Sequence, residues 1–322
     1  MPLAVLHSPE QWTARFGAGS RTALSVGNFD GLHLGHQKIL RQVQARAHAA
    51  SLLPAVVTFD PHPTKLLRPE QAPRMIQTLS QRQAGFEQMG LDAALVLRFD
   101  RDLALLSPEE FVQRILVECL HAAAMLVGAN FRFGHRGAGN VRLLSELGQR
   151  HGFEVEIVAP VELDGVVVSS SAVRSAITEG RAGDAARLLG RPFSLTGEIR
   201  PGAGRGRTIL FPTLNLSPEQ ELLPKLGVYA TESVLGGRVY RSVTNVGTRP
   251  TFNGVGVTVE SHLFDFNERR TELPLEVRFY MRLRDEVKFS SPEQLKTQIA
   301  RDIAAAQQYF SRLREPQPSS LG

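Results

Sequence analysis

The stretch that decides the fold is Gly27-Asn28-Phe29-Asp30-Gly31-Leu32-His33-Leu34-Gly35-His36. Before it, Ala23–Val26 is a short apolar run, the pattern of a buried strand. After it, Ile39, Leu40, Val43 and Ala47 fall at helical spacing. The stretch is therefore a strand-to-helix turn, with His33 and His36 where the helix begins. A helix N-terminus carries unpaired N–H groups and a partial positive charge, so it favours phosphate. Gly27, Gly31 and Gly35 let the backbone approach an anion closely.

Working outward, the chain before Gly190 alternates two textures. Ala55–Phe59, AALVLRFD at 93–100, Ala124–Gly128 and FEVEIVAP at 153–160 read as strands. Leu79–Met89 and Val141–His151 have helical character. Ser107-Pro108-Glu109-Glu110 is a capping box with proline at the first helical position, opening a helix to about Leu120. The alternation predicts an α/β domain, a doubly wound parallel sheet that binds ligands outside the carboxyl ends of its strands.

After Gly190 short alternating runs replace the helices. LTGEIR (195–200), GVYATESV (227–234), RVYRSVTNV (238–246), VTVESHLFDF (257–266) and LEVRFYMRLR (275–284) read as strands. Gly236-Gly237 and Asn253-Gly254 are turn pairs. Regularly spaced short strands predict a small antiparallel β-barrel. Ser291-Pro292-Glu293-Gln294 then caps a long terminal helix with the stripe Leu295, Ile299, Ile303, Ala306 and Phe310. The expected domains are 1–188 and 189–322.

Composition narrows the class. A chain of 322 residues suggests two domains. A single cysteine, Cys119, excludes an intramolecular disulfide and any zinc site of several thiolates. It reads as a buried helical thiol without a catalytic role. No apolar stretch reaches the length of a membrane helix, and the N-terminus lacks a signal-peptide pattern, so a cytoplasmic protein without a membrane partner is expected. The net charge of +5 invites a nucleic-acid reading. Arginine is scattered rather than blocked, however, which fits small anionic ligands better than a polyanion.

The motifs add a resemblance. Gly27–His36 is similar to the nucleotidylyltransferase superfamily with its His-x-Gly-His signature. More closely, the chain resembles the bifunctional bacterial riboflavin kinase/FAD synthetase family. TFDPHP (58–63), GANFRFGHRGAGN (128–140) and VSSSAVR (168–174) match its first half. PTLN (212–215), GVY (227–229), NVGTRPTF (245–252), VESHLFDF (259–266) and LRDEVKFSSPEQLKTQIARD (283–302) match its second. The resemblance implies phosphorylation of riboflavin to FMN, then adenylyl transfer from ATP to FMN giving FAD and pyrophosphate. Substrates would be ATP and flavin, the metal Mg2+, and the assembly a monomer or weak homo-oligomer. An alternative is an FAD synthetase whose barrel binds flavin without phosphorylating it.

The attacking phosphate of FMN is largely ionised at neutral pH, so adenylyl transfer needs orientation and charge stabilisation rather than a base. His33, His36, the helix N-terminus, Arg174, the Ser169, Ser170 and Ser171 hydroxyls and Mg2+ are suited to that work. Taken alone, the three serines would read as an N-cap cluster, and His62 as a turn residue between two prolines. The resemblance implies that Gly27 to Gly31, with Asn28, Phe29 and Asp30, and Asn130 bind nucleotide. It also implies that Phe59, Pro61 and His62 border the flavin. Asn130 stands where many members carry Asp.

For the kinase it implies Mg2+ on Thr213 and Asn215, both hard oxygen donors. Gly202, Gly204 and Gly206 would lie over the phosphates, and Glu260 would accept the hydroxyl proton. Two departures fall near that site. Leu210 stands where the family commonly has Gly, and NERRTELP (267–274) replaces its Tyr-Gly.

Overall fold

Strands with unbroken buried runs need cover on both faces, and the first half of the chain has several. The computed structural model describes residues 2–17, 19–200, 212–251, 254–266 and 273–314. The Gly202, Gly204 and Gly206 loop, Leu210, Asn253 and most of NERRTELP lie outside the described residues. Two compact units form, Met1–Ser170 and Ser171–Gly322.

In the first unit the elements run β1 (Ala4–Leu6), α1 (Pro9–Phe16), β2 (Thr22–Val26), α2 (Leu34–Ala50), β3 (Leu53–Asp60), α3 (Pro63–Leu67), α4 (Leu79–Gln88), β4 (Ala93–Arg98), α5 (Arg101–Leu105) and α6 (Pro108–Phe111). The helix of α6 continues through Val112–Cys119 with π winding. Then come β5 (Ala122–Gly128), the small pair β6 (Arg132–Phe133) and β7 (Gly139–Asn140), α7 (Val141–His151), β8 (Glu154–Val158), and the pair β9 (Glu162–Leu163) and β10 (Val166–Val167). The main sheet has the order β1-β4-β3-β2-β5-β8, and its pairs are parallel. One apolar cluster joins Trp12, Phe111, Leu116 and Leu144 on one face, and another joins Leu40, Val43 and Phe86 on the other. The expected doubly wound sheet is thus present.

From β2 the chain winds one way through β3 and β4, and later the other way through β5 and β8. The order reverses between β2 and β5, where open α/β sheets form their ligand crevice. The turn at Gly27–His36 follows β2, and Gly128–Asn130 follows β5. The sequence patterns named above leave out β1, α1, α3, α5 and the two small pairs, and in the second unit α9 (Ala182–Leu189) and β12 (Leu214–Pro218).

The second unit contains α8 (Ser170–Thr178) from Ser171 onward, α9 (Ala182–Leu189), β11 (Phe193–Arg200), β12 (Leu214–Pro218), β13 (Gly227–Leu235), β14 (Arg238–Thr251), β15 (Gly254–Leu263), β16 (Leu275–Arg284) and α10 (Pro292–Arg314). The strands close an antiparallel barrel in the order β11-β12-β15-β14-β13-β16. Its interior holds the buried hydroxyls of Thr231, Ser233, Ser242, Thr244 and Ser261. They satisfy one another at 2.7–2.9 Å, which is what burial of hydroxyls demands. Outside, Ala306 and Phe310 of α10 pack on Val228, Ala230 and Val243. The expected barrel and terminal helix are present. Cys119 is buried, and burial pushes its thiol up to about 11, so no thiolate forms at neutral pH.

Candidate active sites

At the first site His33 is the N-cap of α2, and its Nδ1 accepts the His36 backbone N–H at 3.3 Å. The two imidazoles stack with centroids 3.6 Å apart. Gly35 lies close against the stack: a Cβ there would sit 3.1 Å from the His33 ring, which would have to give by a few tenths of an ångström. The Nδ1 of His36 is buried without a hydrogen-bond partner among the described residues. Burial, and then the neighbouring His33, hold the His36 imidazole well below its ordinary pKa. His36 is therefore neutral at neutral pH.

The loop feeding this pair is strained. Phe29 and Leu32 have φ of 50° and 42°, a left-handed region that bulky residues avoid. Burial over-determines them. Phe29 is edge-on to Phe86 at 5.8 Å and to His36 at 5.2 Å. The Asp30 carboxylate accepts the backbone N–H groups of Ile76 and Gln77 at 3.1 Å. The sequence places Phe29 and Asp30 at the nucleotide; the structure turns both side chains inward, where they hold the loop. Ser170 donates its hydroxyl to the Asp30 carbonyl at 2.9 Å, and Ser169 precedes it half-buried. Ser171 and Arg174 lie on α8 within the second unit. Asn130 is exposed past the end of β5, its Oδ1 close over Gly128.

The segment expected at the flavin leaves β3. Thr58 is fully buried, Phe59 is half-buried against Phe99, and Asp60 and Pro61 are exposed. His62 caps α3, its Nδ1 accepting the Thr64 N–H at 3.2 Å. A residue missed in the sequence lies behind both segments. Arg82 of α4 is 2% exposed. Its Nη1 donates to the Asn28 carbonyl at 3.0 Å, to Thr58 Oγ1 at 3.2 Å and to the Phe59 carbonyl at 3.4 Å. The only sequence signal was its i, i+4 relation to the apolar Phe86.

At the second site, register does the assembling. Asn215 on β12 pairs with Glu260 on β15, which pairs with Asn245 on β14. Directly opposed residues share a face. The neighbours Ser261 and Thr244 point inward, so the three polar side chains line the outer face. Thr213 lies two residues before Asn215, just ahead of β12. All four are half-buried. Val228 continues the row from Asn245 to the apolar patch under α10. A Cβ on Gly247 would meet Glu286 Oε1 at 2.4 Å and Asn245 Nδ2 at 2.9 Å, so a second carboxylate stands beside this row. Sequence reading quoted Asn245 and Glu286 within motifs but gave neither a role.

A phosphate-favouring helix start at the switch point of a parallel sheet, joined in one chain to a barrel with a carboxylate flanked by amides, defines a two-module nucleotide-using transferase. A model described as FAD synthetase matches residues 17–172, and one described as riboflavin kinase matches 189–310. The chain belongs to the bifunctional riboflavin kinase/FMN adenylyltransferase family. A relative from Haemophilus influenzae is 36% identical over 90% of this chain and 94% of its own length. One from Pseudomonas fluorescens is 40% identical over 88% and 91%. Both are described as bifunctional riboflavin kinase/FMN adenylyltransferase. A crystal structure described as a macrolide-efflux protein from Streptococcus pneumoniae matches with TM-score 0.85 and 28% identity, covering 95% of this chain and 99% of that one. Among the described residues of this chain no helix is long and apolar enough to cross a membrane.

Proposed function

We propose that the barrel module phosphorylates riboflavin to FMN and that the sheet module adenylates FMN to FAD, each with ATP. The observation that carries this reading is that one chain matches both family models in order, each over a site of suitable chemistry. The functional modules are taken as 1–188 and 189–322, supported by matches over 17–172 and 189–310, while α8 from Ser171 and α9 belong to the compact unit of the barrel.

In the kinase step Glu260 accepts the proton of the flavin's primary hydroxyl. Its oxygen bonds to the γ-phosphorus of ATP, and the bond to the ADP oxygen breaks. Thr213 and Asn215 are two neutral oxygen donors beside a carboxylate, a set that fits Mg2+, which keeps waters and phosphate oxygens as its other ligands. Bound there, the ion would neutralise charge on the phosphates. In the adenylyl step an FMN phosphate oxygen bonds to the α-phosphorus and pyrophosphate leaves. His33, His36 and the N–H groups opening α2 stabilise the spreading charge. Asn28 and Asn130, at the ends of β2 and β5, orient the nucleotide, and Phe59 to His62 border the flavin. The chain works in the cytoplasm as a monomer or weak homo-oligomer and needs no nucleic acid.

The test is a time course of the purified chain with riboflavin, ATP and Mg2+. FMN should appear first and FAD after it. Glu260→Gln should lower FMN formation by about 100-fold or more while leaving FAD formation from added FMN intact. A wild-type chain that makes no FMN overturns the kinase assignment; one that makes no FAD from FMN overturns the other.

A further inference from the structure

The inner face of α4 is shaped to the strained loop that carries the histidines. Gly85 leaves room for Leu32, since a Cβ there would lie 2.2 Å from Leu32 Cδ1. Phe86 supports Phe29 edge-on. Just ahead of the helix, the Ile76 and Gln77 N–H groups hold Asp30. Arg82, one turn before Phe86, reaches past the loop to the end of β3. Its hydrogen bonds join the Asn28 segment to the Thr58–Phe59 segment, reinforcing the direct bond that the Thr58 hydroxyl donates to the Asn28 carbonyl at 3.3 Å. Its Nη2 lies 3.9 Å from the exposed Asp60 carboxylate.

We propose that Arg82 is a positioning residue for adenylyl transfer, fixing the flavin-bordering end of β3 against the nucleotide-bordering end of β2. The proposal rests on the adenylyltransferase reading of this site. Arg82 touches neither substrate; it acts through the Asn28 and Phe59 carbonyls and the Thr58 hydroxyl. All three acceptors meet one nitrogen, Nη1, while Nη2 faces Asp60; the planar, delocalised guanidinium holds that nitrogen at a fixed place, whereas a lysine ammonium ends a flexible stem. The reaction needs the FMN oxygen in line with the α-phosphorus, and a displacement of about 1 Å costs about 100-fold in rate.

Three variants in the full chain test this: Arg82→Lys, Arg82→Met and Thr58→Val. FAD formation from FMN and ATP is measured with each substrate varied, beside thermal unfolding. The wild type must make FAD; if it does not, the functional reading fails rather than this proposal. Arg82→Lys should unfold near the wild-type temperature, keep both KM values within about threefold, and lose about 10- to 100-fold in kcat. Thr58→Val, which removes one of the three acceptors and also the Thr58 bond to the Asn28 carbonyl, should likewise lose rate in kcat with both KM values kept. Added guanidinium should restore part of the rate to Arg82→Met. A merely structural role predicts otherwise: both KM values rise, and kcat falls only as the folded fraction falls. That pattern, or an Arg82→Lys rate within about threefold of wild type, overturns the proposal. If Arg82→Met does not fold, the Lys and Val variants decide.

Discussion

At the residue scale the proposed chemistry of the first site turns on His36. Free imidazole titrates near 6.5, and in this fold burial beside His33 lowers that value. Two consequences follow from linkage. As pH falls below about 6.5 the unfolded chain takes up this proton before the folded chain does, so His36 makes folding less favourable in acid. A polyphosphate bound beside the ring reverses the balance and pulls the proton on. ATP binding near pH 6.5 should therefore take up a fraction of a proton and weaken as pH rises. Calorimetry in buffers of different ionisation enthalpy measures that uptake, and His36→Asn should abolish it. The His-x-Gly-His spacing was legible in the sequence, and Gly35 now has a steric reason: any Cβ would press on the His33 ring. The roles of Phe29 and Asp30 were not legible. Whether a loop side chain faces ligand or core depends on what the rest of the chain puts behind it, here Phe86 and the Ile76–Gln77 amides.

At the scale of elements one tetrapeptide is a controlled comparison. Ser-Pro-Glu-Gln occurs at 8–11, 217–220 and 291–294. At the first and third it opens a helix, with the serine hydroxyl accepting the Gln11 or Gln294 N–H at 3.3 Å. At the second it ends β12, and Gln220 is buried. There the Gln220 amide accepts the Thr196 N–H at 3.0 Å and donates to Thr196 Oγ1 at 3.0 Å. Pro224 forbids a helix past its second turn, and β11 offers partners instead. Gln220→Ala should cost about 1–3 kcal/mol, the price of leaving a buried donor unpaired, while the exposed Gln294→Ala should cost under about 0.5 kcal/mol. Urea unfolding of each variant checks both values. The same comparison explains the missed α1, whose cap at Ser8 carries the signal read correctly at Ser107 and Ser291.

At the scale of the whole molecule the two compact units divide at Ser170 and Ser171, inside the motif that sequence reading assigned to the first module. Ile177, Ala182 and Ala185 of α8 and α9 face Phe193, Tyr229 and Phe279 of the barrel. A fragment from 189 should therefore expose that apolar patch, melt several degrees below a fragment from 171, and aggregate more readily. Light scattering and thermal unfolding of the two fragments decide.

By itself the sequence determined the parallel sheet, the barrel, the terminal helix and the family. Each of these is written in local periodicity, capping residues and contiguous motifs. Only the tertiary structure decided the row of Asn215, Glu260 and Asn245, the inward turn of Asp30, and the place of Arg82 behind the Asn28 and Thr58–Phe59 segments. Those arrangements depend on strand register and on packing between segments far apart in the chain, which no local pattern encodes.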